Sequence, residues 1–504
     1  MNKIQAILSV MSEEDKRSFL HQLRSRNKRT DTQNVRLFQI LNTAAPVSQV
    51  DKKLYGKSSK NAYHALSKRL FDTLVQFVAT RNFEGESSEE MNILKLLITS
   101  RILFEHKQYK TAIRLLNKAE QQAHQFELYA LLNEIYQTQI QYAHLPNAKL
   151  LEECRRDYEI NKNRVLREEQ LNLIYADLKL NLFSIPWNQQ QASLESYLIR
   201  LFEQHHITFD EGLTFRSLYQ VLSIATNMAN ARRDYYAIVD YMPIAYRYVE
   251  DKKELHHKHL YYHIHILRLI SYTFFRTRDF AHSMMYADRM EMQLKKDNQR
   301  YYKQYQGDLL LIQSLNLHFT QSGSTVIGDI EAFKKESSYL SSSDLTRLQL
   351  DLCLCIAYFH HQEYQKAHKI LGQLPHTDTW YSQNLGMDWM VKKNLIAILL
   401  AIELGYDDLV HSRVRQFKKL YADYDKQNNE PRILIYVQLV YTYYTKPERV
   451  RTPKFHSQLK SLFTVTYTKE EDIYTLCFYA WLRCKIERRP LYETTLSMLS
   501  KPQA

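Results

Sequence analysis

Residues 100–119 read SRILFEHKQYKTAIRLLNKA, and the spacing inside this stretch decides the fold. Leu103 and Phe104 end one apolar run, His106-Lys107-Gln108 interrupt it, and Ala112, Leu116 and Ala119 follow at steps of four and three residues. Such steps place side chains on one face of an α-helix, so the stretch predicts two helices joined by a tight turn. Ser100, Ala112 and Ala119 are small, which lets the two backbones approach closely. The same order of residues returns as Tyr358, Tyr364, Ala367 and Leu371 in IAYFHHQEYQKAHKIL (356–371). It returns more loosely as Phe274, Phe280, Ser283 and Ala287 in YTFFRTRDFAHSMMYA (272–287).

These segments resemble tetratricopeptide repeats (TPR), a family of stacked helix pairs. When each turn is marked by the first residue of its second helix, the marks fall near Tyr109, Leu150, Leu194, Tyr236, Phe280, Ser322, Tyr364, Tyr406, Glu448 and Pro490. Successive marks are 41 to 44 residues apart. Breakers stand near several of them: Pro146, Pro186, Ser322-Gly323-Ser324, Gly405, Pro447 and Pro490. A unit near 42 residues exceeds the 34-residue consensus by about 12 Å of helix, shared between two helices. The resemblance implies an all-α fold: a right-handed α-solenoid of about ten TPR-like helix pairs over residues 91–504, curling around a concave groove. A polar stretch, Glu84-Gly85-Glu86-Ser87-Ser88-Glu89-Glu90, marks the boundary before it, with Ser88 placed to cap the next helix.

Composition agrees with helices. Among 504 residues there are only 9 Gly and 10 Pro, against 37 Tyr. Sheets and phosphate-binding loops depend on the scarce pair, whereas aromatics at helical spacing pack between helices. No apolar run reaches the roughly 20 residues of a membrane span. The N-terminus lacks a signal-peptide pattern, and five cysteines (Cys154, Cys353, Cys355, Cys477, Cys484) include no C-x-x-C pair. A cytoplasmic protein with reduced, buried thiols is expected.

The formal charge of +13 is concentrated at the N-terminus: residues 1–83 carry 15 Lys or Arg against 6 Asp or Glu. This block reads as a basic helical N-terminal domain, with helices expected over 12–26, 32–42, 48–54 and 58–80. The last two, joined at Tyr55-Gly56-Lys57, resemble a helix-turn-helix. Lys57, Lys60, His64 and Lys68 would share the exposed face of the second helix as nucleic-acid contacts, with Tyr63, Leu66, Leu70, Leu74 and Phe77 facing a core. The alternative is a capping bundle with a solvated basic face.

Sites of reaction chemistry do not emerge. Nucleotide-binding, zinc-protease and nucleophile-elbow motifs are absent. Cys353 and Cys355 diverge on a helix, as do the acidic pairs Glu152-Glu153, Glu168-Glu169 and Asp407-Asp408. His256, His259 and His263 would share a face of one continuous helix, but the outer two would then stand about 10.5 Å apart along its axis, too far to share one zinc ion. No catalytic residue, cofactor or metal is expected. The leading expectation is a non-enzymatic scaffold binding a peptide or partner protein in the concave groove; the second is a nucleic-acid-associated regulator with an N-terminal helix-turn-helix and a TPR-like sensor or oligomerisation array.

Overall fold

The computed structural model describes residues 3–9, 11, 13–25, 33–42, 49–80, 86–184, 203–204, 214–232, 235–253, 256, 258–320, 323–428, 432–466 and 473–499. The described residues form helices and connecting turns, with no strand among them. The chain divides into two compact units, Met1–Lys95 and Leu96–Ala504.

The first unit holds the helices Lys3–Ser9, Glu13–Ser25, Gln33–Leu41, Val50–Tyr55 and Lys60–Thr80. Their apolar positions recur every three or four residues and meet around Phe19, which is fully buried. Its ring lies 5.6 Å from that of Phe38 and 5.0 Å from that of Phe77. The helix Lys3–Ser9 has no counterpart in the sequence reading, although Ile4 and Leu8, one turn apart, both reach this core. Ser12, Arg26, Thr32 and Ser48, expected helix ends, lie outside the described residues, as do Glu84 and Gly85. Ser88 sits inside the helix Glu86–Glu105 and is not its cap.

In the second unit, helices begin at or beside most of the turn marks: Tyr109–Gln125, Tyr236–Val239, Phe280–Leu294, Tyr364–Gly372, Asp407–Asn428 and Leu491–Leu499. Leu150 instead precedes a 34-residue helix, Leu151–Ser184, and Glu448 falls in a short 3-10 segment before Pro453–Thr466. Leu194, Pro186 and Ser322 lie outside the described residues.

Among the described residues six turns share one geometry: one at Glu127, with φ 51° and the Leu128 amide donating to Ala123 O at 2.9 Å, and five others. Lys107, Arg278, Gln362, Gly405 and Arg488 all take positive φ, between 55° and 69°. In each case the next amide donates to a carbonyl five residues back: Gln108 to Leu103, Asp279 to Phe274, Glu363 to Tyr358, Tyr406 to Ala401, and Arg489 to Cys484, at 2.8–3.1 Å. This is the Schellman ending of a helix, which satisfies carbonyls that the helix itself leaves free. Only one of the five positions holds glycine, the residue for which left-handed backbone costs least. Replacing Arg278 or Gln362 with glycine is therefore expected to raise stability by about 1 kcal/mol, and Gly405→Ala to lower it by a similar amount. Urea midpoints of the three variants check this. No neighbouring atom lies within 4 Å of an added Cβ at Gly405, so the effect there isolates the backbone.

Contacts across these turns also repeat. The Ser100 hydroxyl donates to Ala112 O at 3.0 Å, Ser271 to Ser283 O at 2.6 Å, and the Cys355 thiol to Ala367 O at 3.5 Å, each twelve residues on. All six residues are fully buried, so small side chains set the close approach of the paired helices. Hydrogen bonds at longer range span 41 or 42 residues: Tyr236 to Thr277 O, His318 to His360, and Tyr436 to Phe478 O. The C-terminal helices also reach far back. The Tyr474 ring lies 6.1 Å from Phe275, and the Tyr492 hydroxyl donates to His318 O at 2.6 Å across 174 residues.

All five cysteines are free and buried. Burial pushes the Cys353 thiol up to about 12, so it is a poor nucleophile. Among the described residues, no helix is long and apolar enough to cross a membrane.

Candidate functional site

Within the first unit, the turn at Gly56 is built by backbone and side chain together. Gly56 has φ +70°, and its amide donates to Lys52 O at 2.8 Å, ending the helix Val50–Tyr55. One residue of the short helix then sets the start of the long one. The Asp51 carboxylate accepts from the Ser58 hydroxyl at 3.0 Å and from the Ser59 amide at 3.2 Å. Desolvation works against its charge, but these hydrogen bonds, with one from the Lys52 backbone, hold the carboxyl below its ordinary value. Ser58 and Ser59 are thereby drawn into the turn, and the helix begins at Lys60 instead of Ser58.

Lys57, Lys60, His64 and Lys68 are all exposed. Lys60, His64 and Lys68 follow at four-residue steps, a row about 12 Å long at 1.5 Å per residue. No ion pair among the described residues engages Lys57, Lys60 or Lys68. On the other side, Leu70, Leu74 and Phe77 are buried, and Tyr63 and Leu66 are half-buried against the same core. Asn61, Ala62 and Ala65, also exposed, leave the row without bulky apolar neighbours. Close by, Arg36 and Lys53 line a shallow hollow floored by Ile40 and Leu54. The arrangement presents mobile cationic groups along one edge of a rigid helix, which suits contacts to phosphate oxygens.

The histidines of residues 256–263 are arranged differently from one continuous helix. The helix begins at Leu260, with His259 as its N-cap residue. His256 therefore turns back, and its ring lies 4.5 Å from that of His263 while its Nε2 is 2.6 Å from Val249 O. His259 stacks on Phe215 at 4.7 Å, with its Nε2 3.8 Å from Glu127. Burial first, then the neighbouring His256, Lys296 and Arg289, push His263 down to about 3. Among the described residues, no three His, Cys, Asp or Glu side chains are grouped to hold a metal ion.

A further polar cluster lies where Leu260–Arg276, Met387–Glu403 and Ile473–Glu487 meet. The fully buried Arg276 guanidinium lies 4.4 Å from the Tyr235 ring centre and 5.3 Å from that of Tyr474, and donates to Asn230 Oδ1 at 3.2 Å. Asp388, 4.0 Å from Arg276, is ion-paired with Lys392, whose ammonium stands 3.7 Å over the Tyr474 ring. Sequence reasoning missed this cluster because its members come from helices far apart in the chain. No known protein family, curated protein or solved structure matches this chain.

Proposed function

We propose that this chain is a non-enzymatic binding scaffold: a right-handed α-solenoid of TPR-like helix pairs carrying a basic N-terminal unit that contacts nucleic acid. The observation that carries the nucleic-acid part is the exposed row Lys57, Lys60, His64 and Lys68 on the helix that follows the Gly56 turn. The repeated Schellman endings and the hydrogen bonds at 41 and 42 residues support the solenoid part. Each lysine that neutralises a phosphate releases counterions, so affinity falls as salt rises, with a log–log slope of about 0.9 per contact on duplex DNA.

Fluorescence anisotropy with labelled duplex DNA and RNA, at 50 and 200 mM salt, tests the reading. The triple variant Lys57→Glu, Lys60→Glu, Lys68→Glu is expected to weaken binding strongly and to flatten the salt slope by about three. Its circular dichroism should match the parent, since all three side chains are exposed. Absence of salt-sensitive binding to either nucleic acid, or unchanged binding by the folded variant, would refute the reading.

A peptide or partner protein held by the array is the second reading. It is favoured by the apolar side chains that the early helices of the second unit leave in solvent: Ile98, Leu150, Leu166, Leu173 and Leu180 are 54%, 67%, 54%, 58% and 68% exposed. Leu166, Leu173 and Leu180 recur every seven residues, the spacing by which one helix seats another.

A further inference from the structure

The second unit holds a partly open cavity of about 50 Å³ beside the buried cluster of Lys392 and Tyr474. By the roughly 10–15 Å³ that one water requires, it has room for about three to five waters, or for a ligand of about four to six non-hydrogen atoms. Its walls come from the same-face positions of two helices: Leu311 and Leu315 on Tyr302–His318, and Leu352 and Ile356 on Asp344–His360. That part of the cavity is apolar and fits an aliphatic chain.

The remaining wall is polar and rich in donors. Trp389 and Lys392, one turn apart on Met387–Glu403, both line it. The indole Nε1 of Trp389 is buried and has no hydrogen-bond partner, and an indole N–H can only donate. Lys392 is 7% exposed; Asp388 takes one of its three N–H groups and the Tyr474 ring faces the ammonium at 3.7 Å, which leaves one direction for a further acceptor. His318 Nδ1 is buried without a partner as well, while its Nε2 lies 2.7 Å from His360 Nδ1. One proton lies between the two rings, and His318 Nδ1 donates or accepts at the cavity according to which ring carries it. A buried N–H left without an acceptor costs free energy, so an acceptor at this wall is favoured. An ammonium and an indole N–H at one wall favour a carboxylate, which would share the Lys392 charge with Asp388, and the apolar walls select a hydrocarbon tail.

We propose that this cavity binds a short-chain aliphatic monocarboxylate, with its carboxylate on Lys392 and Trp389 and its chain against Leu311, Leu315, Leu352 and Ile356. This goes beyond the scaffold reading and does not depend on nucleic-acid contact. The assignment makes the array a sensor of a small metabolite acid, since the ligand would touch three helices at once and draw them together.

Isothermal titration of the full-length protein with sodium acetate, propionate and butyrate, and with butyramide as the uncharged isostere, tests it. Binding of at least one acid is expected, with butyramide weaker by about tenfold or more, because a charge-assisted hydrogen bond is lost. Lys392→Met should abolish the preference for acid over amide. Leu315→Phe, which fills the apolar end and leaves the charge in place, should weaken butyrate more than acetate, and it keeps the test decisive where Lys392→Met does not fold. No binding of any acid at millimolar concentration, equal binding of butyrate and butyramide, or unchanged butyrate affinity in Leu315→Phe would each overturn the proposal.

Discussion

Acidification from pH 7 to pH 5 is expected to remove a large part of the stability of the second unit. His263, His265, His318 and His360 are buried, and burial is the leading cause that drives each below its ordinary value of 6.5. His263, His265 and His360 are pushed down to about 3. In the folded protein they stay neutral between pH 6.5 and 3, whereas in the unfolded chain they take up protons below 6.5. The unfolded state thus binds more protons in this window, and stability falls as pH falls. By pH 5 each of these three histidines removes about 2 kcal/mol, roughly 6 kcal/mol together, and His318 acts in the same direction. Domain stabilities are roughly 5–15 kcal/mol, so the loss is a large part of the whole. His265 offers the sharpest check, since its two ring nitrogens lack partners and Tyr219, Tyr261 and Tyr305 surround it at 4.6–5.3 Å. His265→Phe fits that aromatic cage, carries no titrating group, and is expected to recover about 2 kcal/mol at pH 5 with little change in the pH-dependent part at pH 7. Urea unfolding at pH 7, 6 and 5 measures both effects. Equal midpoints for the parent at pH 7 and pH 5 would contradict the neutral burial of these side chains.

Helical content was legible because apolar residues at three- and four-residue spacing leave one interpretation. The junctions at Tyr109, Phe280 and Tyr364 were legible for a second reason: the small residues Ser100, Ala112, Ser283 and Ala367 are demanded by close backbones and leave a pattern, whereas Ser271 and Cys355, which donate across two of these turns, were not read as part of it. The left-handed residues that end the first helix of each pair left none. Lys107, Arg278, Gln362 and Arg488 adopt a conformation usually signalled by glycine, so the turn is held by its hydrogen bonds and by packing on either side. The start of the helix at Leu260 was equally silent, because its N-cap is His259, whose side chain makes no capping hydrogen bond. That one boundary changed the geometry of the histidine group, since His256 left the helix and folded onto His263. The basic face was readable because Gly56 marks the turn and Lys60, His64 and Lys68 follow at a fixed step. The Arg276, Lys392 and Tyr474 cluster was not, as no local rule links residues 82 or more positions apart.

Phe19→Ala is expected to melt the first unit while leaving the second folded. Phe19 is fully buried and its ring meets both Phe38 and Phe77, so it joins the helices Glu13–Ser25, Gln33–Leu41 and Lys60–Thr80. Truncating a buried phenylalanine costs about 3–5 kcal/mol, from lost burial and from the cavity left behind. In a unit of this size each 1 kcal/mol moves the midpoint by roughly 4–8 °C, so a fall of roughly 12–40 °C is expected in its transition. The second unit has its own clusters of buried apolar residues, none of which includes Phe19, and its transition should stay in place. Differential scanning calorimetry separates the two outcomes, since a single transition moving as a whole would show that the units unfold as one. The same variant also tests how the basic row works. Lys60, His64 and Lys68 are held in line only by the helix that Phe77 anchors to Phe19, so melting that helix disperses the charge without removing any of it. If nucleic-acid affinity collapses in Phe19→Ala at a temperature where only the first unit is unfolded, alignment of the lysines matters more than their number. If affinity persists, net charge alone is responsible, and the arrangement of the two helices around Gly56 plays no part in binding.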